Sequence, residues 1–190
     1  MFQLYQRIGG GLWLLFLVVW LIGSLGAKKT ARRGALWTQM PLRLAIAVVL
    51  LALLLSRLRG ELFRSGAALL MSPTVGLIGL ILCILGIGYA VWARIVIGTN
   101  WGMPMTLKQD PQLVTIGPYA QVRHPIYAGV LLAMLGSGLA ISLWWFVFFA
   151  VNAAQFAYAA KKEEQLMLQT FPDSYPGYMR RTRMLIPFLY

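Results

Sequence analysis

The sequence is short of acid, of histidine and of cysteine. Among 190 residues the acids are Glu61, Asp110, Glu163, Glu164 and Asp173, the one histidine is His124 and the one cysteine is Cys83. A single cysteine inside an apolar run excludes an intramolecular disulfide, a CxxC redox pair and a thiolate metal cage, and reads as a small buried hydrophobe. One histidine and scattered acids lack the clustered ligands of a zinc or two-metal centre, so no metal is expected. The remaining charge is positive: 17 Lys and Arg give a formal net charge of +12. On a chain 59% hydrophobic and only 12% charged, that excess points to an anionic lipid surface or substrate rather than to nucleic acid.

Long apolar runs are what the sequence has in quantity. Residues 8–27, between Arg7 and Lys28, are uncharged and long enough to cross a hydrocarbon core. The basic cluster KKTARR follows this run rather than preceding it, which favours a membrane span over a cleaved secretory signal. A shorter run at 44–56, between Arg43 and Arg57, crosses only if its flanking arginines snorkel, and pairs with the first as a hairpin. A third run begins at Pro73, a residue suited to the first turn of a helix. Arg94 near its end is placed to reach the interface or an internal polar site. Residues 125–160 carry no formal charge, too long a run for one span, and are expected to fold as a helical hairpin turning near 140–143. Trp144 and Trp145 would anchor its far end at the interface. Gly129, Ala133 and Ser137 give the fourth helix a smooth face for close packing.

The expected fold is therefore all-α, a polytopic membrane protein with five transmembrane helices and a cytoplasmic C-terminal helical tail. It divides into an N-terminal helical hairpin (1–72) and a core (73–190). Lys28, Lys29, Arg32 and Arg33 after span one, Lys108 and Arg123 before span four, and Lys161, Lys162, Arg180, Arg181 and Arg183 in the tail then share one side. The positive-inside rule makes that side cytoplasmic and the N-terminus external. Arg7, Arg57, Arg59 and Arg64, diluted by Glu61, remain outside.

Two polar stretches meet on the cytoplasmic side. In GPYAQVRHPIYAG (117–129), Gly117 and Pro118 favour a turn, and Pro125 pushes His124 out of helical geometry while opening the next helix. A positive helix end beside Arg123 suits an anion, and Tyr119 and Tyr127 add hydroxyls and aromatic faces. The same residues equally suit a capped interfacial turn with an aromatic belt. In the tail, Glu163, Leu166 and Thr170 share a helical face that Phe171 and Pro172 close, so Glu163 is expected to point toward the site. Glu164, about a hundred degrees away, is expected to be solvated. Lys161 to Glu164 also read as a salt-bridged helix end, and Arg180, Arg181 and Arg183 as headgroup contacts.

The stretches ARIVIGTNW (93–101), QLVTIGPYAQVRHPIYAG (112–129) and EEQLMLQTFPDSYPGYMRRTRMLIPFL (163–189) cover about half the chain. They contain G-P-Y, R-H-P-x-Y-x-G and E-E followed by F-P-x-x-Y-x-x-Y in one order. Together they resemble the carboxy-terminal half of the isoprenylcysteine carboxyl methyltransferase family. The resemblance implies an integral-membrane methyltransferase using S-adenosyl-L-methionine. It places Gln112, Leu113, Val114, Tyr119, His124, Pro125, Ile126, Tyr127 and Glu163 around the cofactor, with His124, Arg123 and Glu163 as the catalytic group. The glycine pattern GSGLAI lacks the third glycine and the preceding strand of a dinucleotide fingerprint, so a soluble Rossmann-type site is not expected.

The implied acceptor is the carboxylate of an isoprenylated cysteine, small-molecule or peptide, or a related lipid-linked acid. A carboxylate is already a nucleophile, so positioning would carry the catalysis. One departure bears on it: where eukaryotic members carry a substrate-contacting arginine one turn before the first glutamate, this chain has Ala159, leaving Lys161, Arg180 or Arg181 to neutralise the substrate. The alternatives are a phosphatidylethanolamine-type N-methyltransferase, whose amine would need a base, a non-catalytic membrane binding or assembly protein on the same scaffold, and a reductase sharing that scaffold.

Overall fold

The computed structural model describes residues 2–25, 30–32, 72–101, 107–108 and 110–186. The run at 44–56, its expected hairpin with span one, the cations Lys28, Lys29, Arg33, Arg43, Arg57, Arg59 and Arg64, and Glu61 lie outside the described residues, as does the side chain of Trp144. The described helices are α1 (Phe2–Leu25), α2 (Pro73–Ile97), α3 (Pro125–Ala140), α4 (Trp144–Thr170) and α5 (Tyr175–Arg181). Single 3-10 turns occupy Gly98–Asn100 and Gly117–Ala120. The helical expectation holds, with one addition: β1 (Thr30–Arg32) pairs antiparallel with β2 (Leu107–Lys108).

Each helix boundary has a local cause. Pro73 opens α2 because it needs no N–H partner in the first turn. Gly98 ends that helix at φ 54°, a conformation that glycine adopts without penalty, and its N–H returns to the Arg94 carbonyl. His124 sits at φ −124°, ψ 61° before Pro125, outside helical space as a residue preceding proline should be. The turn between α3 and α4 falls at residues 141–143, where the Ile141 N–H donates to the Ser137 carbonyl at 2.8 Å. Phe171, followed by Pro172, caps α4.

Among the described residues, two helical segments, Leu4–Gly23 and Pro73–Asn100, are long and apolar enough to cross a membrane. Helix α3 is apolar but only 16 residues long, a rise of about 24 Å. Leu14, Leu15, Leu17, Leu21 and Ile22 of α1 and Leu77, Ile78, Ile81, Ile84 and Leu85 of α2 are exposed, apolar surface of the kind that lipid covers.

Helices α2 and α3 pack backbone against backbone. A Cβ added at Gly79 would lie 2.6 Å from the Gly136 carbonyl oxygen, and one added at Gly86 or Gly129 would lie 2.6 Å from the other's carbonyl oxygen. Ala90, Ala133 and Ala140 complete this buried seam of small side chains, so dispersion contacts replace a hydrophobic driving force. Ser137, on the same stripe, accepts from Trp13 Nε1 at 2.9 Å and donates to the Ala133 carbonyl at 2.8 Å, drawing α1 onto the seam. Trp145, expected at an interface, stacks on Trp13 with centroids 4.8 Å apart. Arg94 takes the internal alternative. Buried at 5% exposure, it donates to the carbonyls of Gly98 and Gly23 and lies 4.7 Å from the Trp101 ring centroid, tying the end of α1 to the end of α2.

Gly86→Val and Gly136→Val should each force the seam apart and destabilise the protein by about 2 kcal/mol or more. Gly10→Ala and Gly11→Ala, where an added Cβ meets nothing within 4 Å, should be neutral or stabilise by about 0.5–1 kcal/mol. Thermal unfolding in detergent distinguishes the two pairs; equal shifts would contradict the seam.

Candidate active site

Beyond α5 the chain runs back beside the segment that precedes α3. Arg123 N–H donates to the Arg183 carbonyl at 2.8 Å, His124 N–H to the Met184 carbonyl at 3.1 Å, and Arg183 N–H to the Gln121 carbonyl at 3.3 Å. A parallel bridge joins Val122 to Arg183, and Tyr178 Oη donates to the Tyr119 carbonyl at 2.7 Å. The two polar stretches read from the sequence thus form one structure.

Its centre is a quartet of ionisable side chains. Arg123 Nε donates to Glu164 Oε1 at 2.5 Å, and Arg123 Nη1 to the carbonyls of Thr182 at 2.6 Å and Met179 at 3.3 Å. His124 Nδ1 lies 3.3 Å from Glu163 Oε2, and His124 Nε2 3.6 Å from Glu164 Oε1. Tyr127 Oη donates to Glu163 Oε1 at 2.6 Å. The Tyr127 ring is stacked between His124, at 5.5 Å, and Phe156, at 4.4 Å.

This geometry corrects two expectations. Glu164 is buried at 9% exposure, not solvated. Glu163 and Glu164 do leave α4 about a hundred degrees apart, but the helix end is covered on both faces, by the 121–124 segment and by the returning tail. Arg123 was expected to offer its charge to an anion at the helix mouth. Its Nε and Nη1 are instead committed to Glu164 and two backbone carbonyls, and it acts as a clamp between α4 and the tail.

Burial alone would pull His124 down, but the hydrogen bonds and charges of Glu163 and Glu164 outweigh it and hold the imidazole above its ordinary value. Burial would likewise raise Glu164, and the hydrogen bonds from His124 and Arg123 overcome it and hold the carboxyl low. Burial pushes the phenols of Tyr119, Tyr175 and Tyr178 far up, so they remain protonated.

Against this quartet lies a cavity of about 400 Å³. Gln112, Leu113, Val114, Tyr119, Arg123, His124, Pro125, Ile126, Tyr127 and Glu163 all line it. Lys161, Arg180 and Arg181 do not: Lys161 lines a second cavity, and Arg180 and Arg181 are exposed at the end of α5. Phe16 and Trp20 of α1, Asn100 and Trp101 after α2, Phe156, Leu166 and Met167 of α4, Phe171, and Tyr175 and Tyr178 of α5 are lining residues that motif reasoning missed. Trp20 meets Trp101 edge to face at 5.6 Å, and Asn100 Nδ2 donates to Gln112 Oε1 at 3.5 Å. The spacing of Phe16 and Trp20, four apart on one helix face, was the available signal, but it does not say which neighbour that face meets. The cavity has an apolar aromatic end and an end carrying carboxylate, imidazole and phenol.

Comparison with known proteins bears on this cavity. The profile of the phospholipid methyltransferase family matches residues 75–174. The chain is also similar to the nickel-cobalt-cadmium resistance protein NccN of Alcaligenes xylosoxydans xylosoxydans, at 28% identity over 162 residues covering 84% of this chain and 67% of NccN. The family match begins inside α2, includes α3 and both glutamates, and stops at Ser174, immediately before α5.

The quartet gives tail attachment a definite pH dependence. His124, raised in the fold, contributes stability that is fully present below its unfolded value of 6.5 and is lost as pH rises through its folded value. Glu164, lowered in the fold, contributes stability present above its unfolded value of 4.5 and lost as pH falls through its folded value. Thermal stability and protease resistance of the tail should therefore be greatest between 4.5 and 6.5 and decline on either side. Glu164→Gln should cost about 3 kcal/mol or more by leaving Arg123 buried without its counter-charge. A flat pH profile for the wild type would contradict both assignments.

Proposed function

Because the chain belongs to the phospholipid methyltransferase family, we propose that the larger cavity holds S-adenosyl-L-methionine while a lipid-borne acceptor is methylated beside it. The observation that carries this reading is that all nine residues assigned to the cofactor by motif line one cavity. Its volume, about 400 Å³, suits a small-molecule site.

The residues present fit such a group. His124 lines the cavity, and its buried Nε2 has only the long 3.6 Å contact to Glu164 Oε1. A carboxylate has about four acceptor positions, so Glu163 can accept from Tyr127 and also from a ribose hydroxyl or an ammonium. The lining aromatic rings other than Tyr127, whose faces are taken by His124 and Phe156, offer surface that attracts a cation. When bound, S-adenosylmethionine supplies a methyl group on a positively charged sulfur. The chain's own contribution is positioning: Tyr127 and His124 fix the Glu163 carboxylate, and Arg123 with Glu164 fixes the tail that closes the cavity. His124, held above its ordinary value by the two carboxylates, orients Glu163, and for an amine acceptor, which must lose a proton before it attacks, the Glu163 carboxylate is the group placed to accept that proton. The charge asymmetry supports a cytoplasmic position for this end of the helices and an external N-terminus, with the methyltransferase core in 73–190.

The resemblance gives the acceptor as the carboxylate of an isoprenylated cysteine or a related lipid-linked acid. One observation favours an amine of the phosphatidylethanolamine type. Among the described residues lining the cavity, the arginine is Arg123, and it is paired with Glu164. The Glu163 carboxylate and the aromatic faces are better suited to a cationic headgroup than to an anionic one.

Transfer of a labelled methyl group by the purified protein, to phosphatidylethanolamine and to a prenylated cysteine analogue in parallel, separates the two acceptors by product. The absence of S-adenosylhomocysteine binding to folded protein would overturn the reading and leave a non-catalytic scaffold. Glu163→Gln should weaken S-adenosylhomocysteine binding by about tenfold or more, as expected for a lost charge-assisted hydrogen bond. Tyr127→Phe should weaken it less. Unchanged affinity in Glu163→Gln, measured by calorimetry, would remove that residue from the site.

A further inference from the structure

A second cavity, of about 330 Å³, shares Arg123 with the first and is otherwise built by the start of the polar part of α4 and by the tail. Its charged lining is Arg123, Lys161 and Arg183 against the single carboxylate of Glu164. Lys161 and Arg183 are exposed and have no carboxylate partner among the described residues. The Arg123 side chain is only 10% exposed. Its Nε and Nη1 make the bonds described above, while Nη2 makes no hydrogen bond among the described residues. That edge of the guanidinium is therefore open to a further partner such as an oxyanion.

We infer that this second cavity binds a phosphate-type oxyanion, gripped by Lys161 and Arg183 and met from within by Arg123. Three cations facing one carboxylate leave an excess that a dianion neutralises, and arginine presents the planar donor fork that phosphate oxygens match. The location agrees with this chemistry. The charge-free part of α4 ends at Ala160, so Lys161 is the first charge after that stretch, where the proposed membrane topology brings lipid phosphates close. The bound group is either the phosphomonoester of an anionic lipid or free phosphate. Because Arg123 also clamps the tail through Glu164 and the Thr182 carbonyl, occupancy stabilises the tail and with it the wall of the larger cavity. The site is separate from the methyl-transfer cavity, and its existence does not depend on that cavity's activity.

The test is a thermal-shift and binding titration of the full chain at constant ionic strength. One arm adds inorganic phosphate to protein in nanodiscs of phosphatidylcholine; the other uses nanodiscs doped with phosphatidic acid. The comparison variants are Lys161→Gln with Arg183→Gln, and Arg180→Gln with Arg181→Gln, which remove equal charge from exposed positions inside and outside the cavity. Stabilisation by inorganic phosphate that weakens about tenfold or more in the first pair, but not in the second, identifies a free-phosphate site. Stabilisation only by phosphatidic acid, with the same dependence on the first pair, identifies a lipid-headgroup site. No stabilisation in either arm, or equal losses in both pairs, overturns the proposal by reducing the effect to general surface charge.

Discussion

The contact between Arg123 and Glu164, with His124 beside it, is the constraint on which the rest of the site depends. Two carboxylates at consecutive positions of α4 face a consecutive arginine and histidine from the segment before α3, and the tail supplies carbonyls to the same guanidinium. A buried ion pair of this kind is a weak source of net stability, because desolvation offsets most of the attraction. What it does is exclude alternatives. A shifted tail would leave a charge buried without its partner, so α4, the 121–124 segment and the tail are held in one register.

That register makes a chamber out of parts that are far apart in the sequence. The glycine seam brings α2 and α3 to backbone contact and thereby sets where the mouth of α3 opens. Pro125 keeps His124 extended at that mouth, and Arg94, buried against Trp101 and the end of α1, holds the aromatic wall formed by Trp20 and Trp101. The cavity that results is lined by aromatic side chains of the helices and tail together with the His124 imidazole and the Glu163 carboxylate.

Much of this was legible in the sequence wherever a single residue sets a local rule. Pro73 and Pro125 marked helix starts, Phe171 and Pro172 an end, and the charge-free stretch 125–160 a hairpin turning near 140–143, where the structure turns at 141–143. The residues at 112–127 and Glu163 that the family resemblance assigns to a cofactor line one cavity. What failed depended on a second element covering the first. Helical periodicity reports the faces of α4 but not that the tail buries the face carrying Glu164. Nor does it report that Phe16 and Trp20 meet the cavity, or that 121–124 pairs with 183 through backbone groups that carry no sequence signature. The small β1–β2 pairing was missed for the same reason. The expected span at 44–56 lies outside the described residues.

The most direct measurement is hydrogen exchange of the full-length protein with and without S-adenosylhomocysteine. If one chamber is built from both polar stretches, amides at 117–127 and at 163–186 gain protection together, with the same ligand dependence. Protection confined to one stretch, or to neither under conditions where the ligand binds, would contradict a shared chamber.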